Sequence, residues 1–401
     1  MSSFLQLISI LTIIILAAKA AGYLSIKLGQ PSVFGELMVG LLLGPSLINL
    51  TGIDIFSDSH LGDVVHELGE MGVLLLMFLA GLELELREMA RSSRVAAYSG
   101  IMGVLLPVGL GYLIGALSGM RITEAIFLGL TLGATSVSIS AQTLMELGVL
   151  RSRVGLGLLG SAVFDDILVI LLLSIFSALR GGADGPLVVL WTIGRMVIFL
   201  GLSALVGLYL LPRLAHWIES LGISQGTVVQ SLVVMFVFAL GAELIGGMAA
   251  ITGAFIAGLM YARTALKRQI EHGFNILSFG LFVPVFFVDI GLRVDLRQIQ
   301  ISDLWLLILL IAAAIAGKVI GSGVGARAGG FTWRESLQLG VGMVSRGEVG
   351  LIVASVGLAE GMLSPNLFAI VVGMVLATTL LTPPLLRLSF SKKKSSTPEA
   401  A

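Results

Sequence analysis

Two adjacent carboxylates, Asp165 and Asp166, stand in the middle of a long apolar run. Acidic oxygens in such a place do one kind of chemistry well: they hold a small hard cation, or protons. Neighbouring residues on an α-helix project about 100° apart, so the two cannot serve one small site equally. A division of labour follows. One pairs with Lys318, which lies at a similar depth in a later apolar run, while the other faces a wet cavity and binds the ion. A dry surrounding and a neighbouring negative charge both favour the neutral acid, so protons compete with the cation for the same oxygens near neutral pH. A metal ion such as Na⁺ suits Asp166 and Asp165, joined by Thr135, Ser136, backbone carbonyls and water.

Arg346 and Glu348 fall at the same depth. A lone charge at the bilayer centre costs roughly 2.5 to 3.5 kcal/mol on insertion scales, so this concentration of charge implies pairing, a water-filled cavity, or both. Arg346 and Glu348 are candidates for balancing the dipoles of interrupted helices, or else form a structural ion pair. Glu36, Glu70, Glu83, Glu85 and Asp289 read as structural, with Glu70 or Asp289 placed to border an access funnel. Arg195 has no evident partner and either snorkels or bridges two halves of the molecule. The chain has no Cys, and His60, His66, His216 and His272 lack ligand spacing, which argues against thiol chemistry, a metalloenzyme or a cofactor. A di-aspartyl protease needs two carboxylates converging from different helices on one water, whereas Asp165 and Asp166 diverge from one. No enzymatic activity is expected.

A membrane-spanning helical scaffold must position these residues. The 401 residues are 57% apolar and 12% charged, with a mean hydropathy of +1.04, too little polar surface for a water-soluble fold of this size. Formal net charge is zero, so no basic field points to nucleic acid, and the lipid bilayer is the expected partner. About 13 apolar runs, each near the roughly 20 residues that a span needs, centre near residues 14, 41, 76, 107, 135, 166, 199, 237, 256, 284, 314, 348 and 376. Only Gly246-Gly247 separates the eighth from the ninth. The first, Phe4 to Tyr23, has no basic residue before it and reads as a retained helix. Sixteen of the 24 Lys and Arg fall on one side of such a topology, which places the N-terminus outside and the C-terminus in the cytoplasm of a multi-pass inner-membrane protein.

Thirteen spans divide as six, one and six, two inverted six-helix repeats in an all-α integral membrane protein. The fifth run of each half, Gly129–Ala141 and Gly340–Gly350, is rich in Gly, Ser or charge at mid-membrane. Such composition predicts a helix that unwinds where its backbone lines a polar cavity, the other reading being close packing through small residues.

The stretches Leu132-Gly-Ala-Thr-Ser-Val-Ser-Ile-Ser140, Ala162-Val-Phe-Asp-Asp-Ile-Leu168, Ala316-Gly-Lys-Val-Ile-Gly321 and Gly342-Met-Val-Ser-Arg-Gly-Glu-Val-Gly-Leu-Ile-Val-Ala354 resemble the monovalent cation/proton antiporter superfamily. Within it the chain is most similar to bacterial sodium/proton antiporters of the NapA type with a two-aspartate motif. The resemblance covers nearly the whole chain. It implies a homodimer with a dimerisation domain (residues 1–90 and 226–296), a mobile core domain (95–179 and 303–390) holding two crossed discontinuous helices, a linker helix (187–212) and a disordered cytoplasmic tail (391–401). It makes Asp166 the principal cation and proton site and Asp165 the partner of Lys318, in a pair that opens when the cation binds. It further implies elevator-like movement and, for an Asp-Asp pair with an intact Lys318, electrogenic exchange of Na⁺ (or Li⁺) for H⁺. Asp289 departs from the pattern, at a position where an apolar or small residue is expected. Potassium/proton antiport is the closest rival. A cation channel is disfavoured by the lack of a repeated carbonyl filter segment, and both salt tolerance and pH homeostasis fit as physiological roles.

Overall fold

In a bilayer every backbone polar group must be satisfied within its own element, which leaves apolar helices as one of two workable designs. The computed structural model describes residues 2–53, 55–56, 60–83, 92–181, 185–211, 213–214, 225–293, 297, 301–359 and 361–390, and among them there are helices and short connections but no strand. The chain is an all-α, multi-pass membrane protein. Among the described residues ten helical passages are long and apolar enough to cross a membrane, against about 13 runs expected. The difference lies in interrupted or short elements: the second and ninth runs are helices of 12 residues each, and the twelfth is two short helices with a non-helical link.

In chain order the elements are α1 (Ser3–Lys27), α2 (Ser32–Leu43), α3 (Leu61–Glu83), α4 (Ser93–Leu117), α5 (Ile122–Gly133), α6 (Val137–Glu146), α7 (Arg153–Gly181), α8 (Gly185–Leu205), α9 (Gly226–Gly241), α10 (Ala250–Tyr261), α11 (Lys267–Leu277), α12 (Val283–Leu292), α13 (Leu304–Ala328), α14 (Trp333–Gly342), α15 (Glu348–Ala359) and α16 (Pro365–Phe390). Single π-helical turns extend α8 and α9 and join α11 to α12. The tail 391–401, Glu85 and the Glu348 side chain lie outside the described residues.

Small residues decide which helices touch. Cβ atoms built at Gly81 and Gly258 would fall 2.1 Å from Phe255 O and 2.0 Å from Phe78 O, so α3 and α10 cross with their backbones in contact, the close approach that small residues permit in membranes. On α13, a Cβ at Gly321 would meet Met102 O at 2.5 Å and one at Gly325 would meet Tyr98 O at 2.2 Å, which seats α13 on α4. The opposite side of α4 rests on α7 through Gly100, opposite Phe164 and Ser161. The most extensive packing is therefore within two sets: α4 to α7 with α13 to α16, and α1 to α3 with α9 to α12. Thinner seams join them, where α6 meets α2 and α3 and where α16 meets α2.

The eighth and ninth apolar runs are separate helices because Gly247 takes φ +61°, a left-handed conformation that glycine adopts without a Cβ penalty. Arg195 resolves differently from both sequence expectations. Its guanidinium donates to the carbonyls of Ile245 (2.8 Å), Leu244 (2.6 Å) and Glu243 (3.5 Å), supplying the donors that the carbonyl end of the α9 passage lacks.

Candidate ion-binding site

The two aspartates sit midway along α7 and separate as helical geometry requires. Asp165 is fully buried, and its Oδ1 accepts a hydrogen bond from Lys318 Nζ at 2.6 Å; Lys318, on α13, is also fully buried. The packing of α4 between α7 and α13 sets the distance that this long side chain must span. Asp166 lines a small cavity with Val137, Leu159, Ala162, Met77 and Phe255 among its walls, with room for about one water-sized occupant. Its Oδ2 accepts a hydrogen bond from Thr252 Oγ1 at 3.2 Å.

Both segments predicted to unwind are unwound. α5 ends at Gly133 and α6 begins at Val137, with Ala134 and Ser136 extended between them. α14 ends at Gly342 and α15 begins at Glu348. The two links cross and complete each other's backbone: Ser136 N–H donates to Ser345 O (2.9 Å), Ser345 Oγ donates to Ser136 O (2.7 Å), and Ser140 Oγ donates to Gly342 O. Gly347 is required at the crossing, where a Cβ would lie 2.6 Å from Ser136 Cβ and Oγ. These groups freed by unwinding are thus satisfied across the crossing rather than by lipid, where nothing could replace the lost bonds.

Arg346 is fully buried beside the crossing. Its Nη1 donates to Met343 O (3.2 Å) and Val344 O (2.8 Å), and its Nη2 to Ala314 O (3.2 Å). Thr379 Oγ1 donates to the Arg346 carbonyl. A positive charge therefore stands at the negative, carbonyl end of α14. Glu348 opens α15.

Thr135 and Ser136 are not in the wall of the Asp166 cavity, to which the broken helix contributes Val137. Thr135 Oγ1 approaches the Asp165 carboxylate, yet neither it nor Asp165 Oδ2 completes a protein hydrogen bond. Ser136 Oγ is shared with Ser138 Oγ at 2.9 Å. Thr252 and Met77 escaped the sequence reading. For Met77 no signal exists among many apolar neighbours; for Thr252 the signal is a hydroxyl in the otherwise apolar Ala-Ile-Thr-Gly-Ala-Phe-Ile.

Asp289 belongs elsewhere. Its Oδ2 meets His66 Nδ1 at 2.8 Å and Arg293 Nε at 3.6 Å, and His66 Nε2 reaches Glu70 at 3.1 Å. His66 precedes Met77 by 11 residues on α3, about 16 Å along the axis at 1.5 Å per residue, so this network is remote from the cavity. Glu36 is buried on α2, where its side chain faces Gly22 of α1.

Residues 10–388 match the family model described as sodium/hydrogen exchanger, transmembrane. The chain is 39% identical over 383 residues to the Na⁺/H⁺-K⁺ antiporter GerN of Bacillus cereus, covering 96% of each protein. It is 35% identical to a Na⁺/H⁺ antiporter of Enterococcus hirae, covering 97% of this chain and 99% of that one. Among solved structures, the sodium proton antiporter MjNhaP1 of Methanocaldococcus jannaschii aligns over 95% of both chains with a TM-score of 0.69 and 17% identity, a likeness of fold.

Proposed function

Because the chain belongs to the transmembrane sodium/hydrogen exchanger family, a family of transporters and not of enzymes, we propose that it exchanges Na⁺ (or Li⁺) for H⁺, with cation and protons competing at Asp166. One observation carries this reading: consecutive carboxylates occupy different environments, Asp165 locked to Lys318 and Asp166 turned into a cavity of about the size of one water. A single negative charge in a largely apolar wall is unfavourable when empty and favourable when occupied by Na⁺ or a proton. Alternating occupancy is the requirement of antiport.

The remaining parts follow from the same reading. Residues 95–179 and 303–390 form a core domain that carries the site and moves, elevator-like, against a dimerisation domain of 1–90 and 226–296 in a homodimer, with 187–212 as the linker. The thin seams between the two sets of helices support it, because surfaces that slide bury little against each other. Lys318 lets go of Asp165 as the cation binds, which releases a proton and makes exchange electrogenic. Arg346, with Glu348, balances the ends of the crossed half-helices. The chain lies in the inner membrane with its N-terminus outside. Exchange of K⁺ is a second reading, favoured by the 39% identity to an antiporter named for both Na⁺ and K⁺.

Purified protein in proteoliposomes, carrying an imposed pH gradient, is challenged with Na⁺, Li⁺ and K⁺ side by side. Collapse of the gradient by Na⁺ or Li⁺ is expected. A response to K⁺ alone transfers the assignment to potassium/proton antiport, and no response to any of the three removes the exchange reading.

A further inference from the structure

Thr252 sends its hydroxyl away from its own helix, as Thr379 does toward the Arg346 carbonyl, but it alone of the two reaches a carboxylate. Thr131, Thr143, Thr378 and Thr382, all buried in helices, donate to a carbonyl three or four residues back on their own helix, the usual resting place of a helical threonine. Thr252, buried in the first turn of α10, instead donates across to Asp166 Oδ2. The left-handed turn at Gly247 starts α10 two residues before Thr252, and the contact of Gly81 and Gly258 with facing carbonyls presses α10 onto α3. The donor and the acceptor thus belong to different packing sets. Asp166 and Thr252 are also the polar members of the cavity wall.

We infer that Thr252 is a positioning residue for the site: its hydroxyl holds the Asp166 carboxylate against the other set of helices and competes with a monovalent cation for the Oδ2 lone pair. The inference rests on the exchange reading of Asp166. A hydroxyl donates its one proton to the Asp166 Oδ2 lone pair, so a cation that takes that lone pair makes the hydroxyl turn or withdraw. The cost of that exchange is written into the apparent affinity of the transporter. A carboxylate tethered across the seam also resists crossing the membrane empty, which keeps cation and proton movements coupled.

The test is the dependence of exchange rate on cation concentration in proteoliposomes at alkaline pH, using whichever of Na⁺, Li⁺ or K⁺ drives the wild type. Thr252→Val removes the hydroxyl at constant shape. It is expected to lower KM about 3- to 10-fold, the range of one ordinary protein hydrogen bond, with kcat within about twofold of wild type. Thr252→Ser, which keeps the donor, restores the wild-type KM. A merely structural role would lower kcat or the yield of monodisperse protein and leave KM unchanged or raised; either result in Thr252→Val, or a serine variant that behaves like valine, overturns the inference. Should valine not give monodisperse protein, Thr252→Ala carries the same comparison. The exchange reading fails separately, if wild type responds to no cation.

Discussion

Breaking the Lys318–Asp165 pair on one side should cost far more than removing it altogether. Both side chains are fully buried, and Nζ and Oδ1 are 2.6 Å apart. At that separation and an effective dielectric near 20, the attraction is about 6 kcal/mol. Desolvating each ion costs several kcal/mol, so gain and cost nearly cancel and the intact pair contributes little net stability. Either single neutral substitution, Lys318→Gln or Asp165→Asn, leaves the partner charge buried without its hydrogen-bonded counter-ion, at about 3 to 5 kcal/mol. The double substitution carries no charge and should return to within about 1 kcal/mol of wild type, a coupling energy well above the range for independent sites. Unfolding in mixed micelles by increasing SDS, followed by the fluorescence of the four tryptophans, reads all four corners of the cycle. Additive single effects, or a single variant within about 0.5 kcal/mol of wild type, would refute the reasoning.

Asp166→Asn should abolish cation-driven collapse of a pH gradient while the protein stays monodisperse by gel filtration; retained exchange would remove Asp166 from the centre. Arg346→Met deprives three carbonyls of charged donors and should lower stability by at least about 1.5 to 3 kcal/mol, the range of one hydrogen bond to a charged group, whereas a loss under about 0.5 kcal/mol in the same SDS titration would mean that the carbonyls find other partners. Glu146 accepts from Ser32 N–H at 2.6 Å at the start of α2, so Glu146→Gln should cost about 0.3 to 1 kcal/mol, diminishing with salt; a salt-independent loss would exclude the electrostatic account. Gly258→Ala drives a Cβ to 2.0 Å from Phe78 O, and overpacking of about 1 to 3 kcal/mol should appear as a lower unfolding temperature, with an unchanged temperature contradicting the close crossing of α3 and α10.

Much of this protein was legible from residue order. Hydropathy placed the helices, because a bilayer accepts only apolar segments of a set length. Glycine and serine at mid-membrane marked the two unwound links, since such residues weaken a helix and can satisfy freed backbone groups. Consecutive aspartates told that two roles existed, because a helix turns 100° per residue. Partners were a different matter. Depth alone leaves Lys318 the mate of either aspartate and family likeness names Asp165, while the physical reason that they meet is α4 lying between α7 and α13 through glycines 100, 321 and 325. The partners of Arg195 and Asp289 are not legible in the sequence: the first finds carbonyls 48 to 50 residues away and the second a histidine 223 residues away. Thr252 reaches Asp166 across 86 residues, by way of a left-handed glycine that sets where its helix begins. Local sequence dictates what a segment prefers in lipid, whereas the meeting of two side chains depends on the backbone of every helix packed between them.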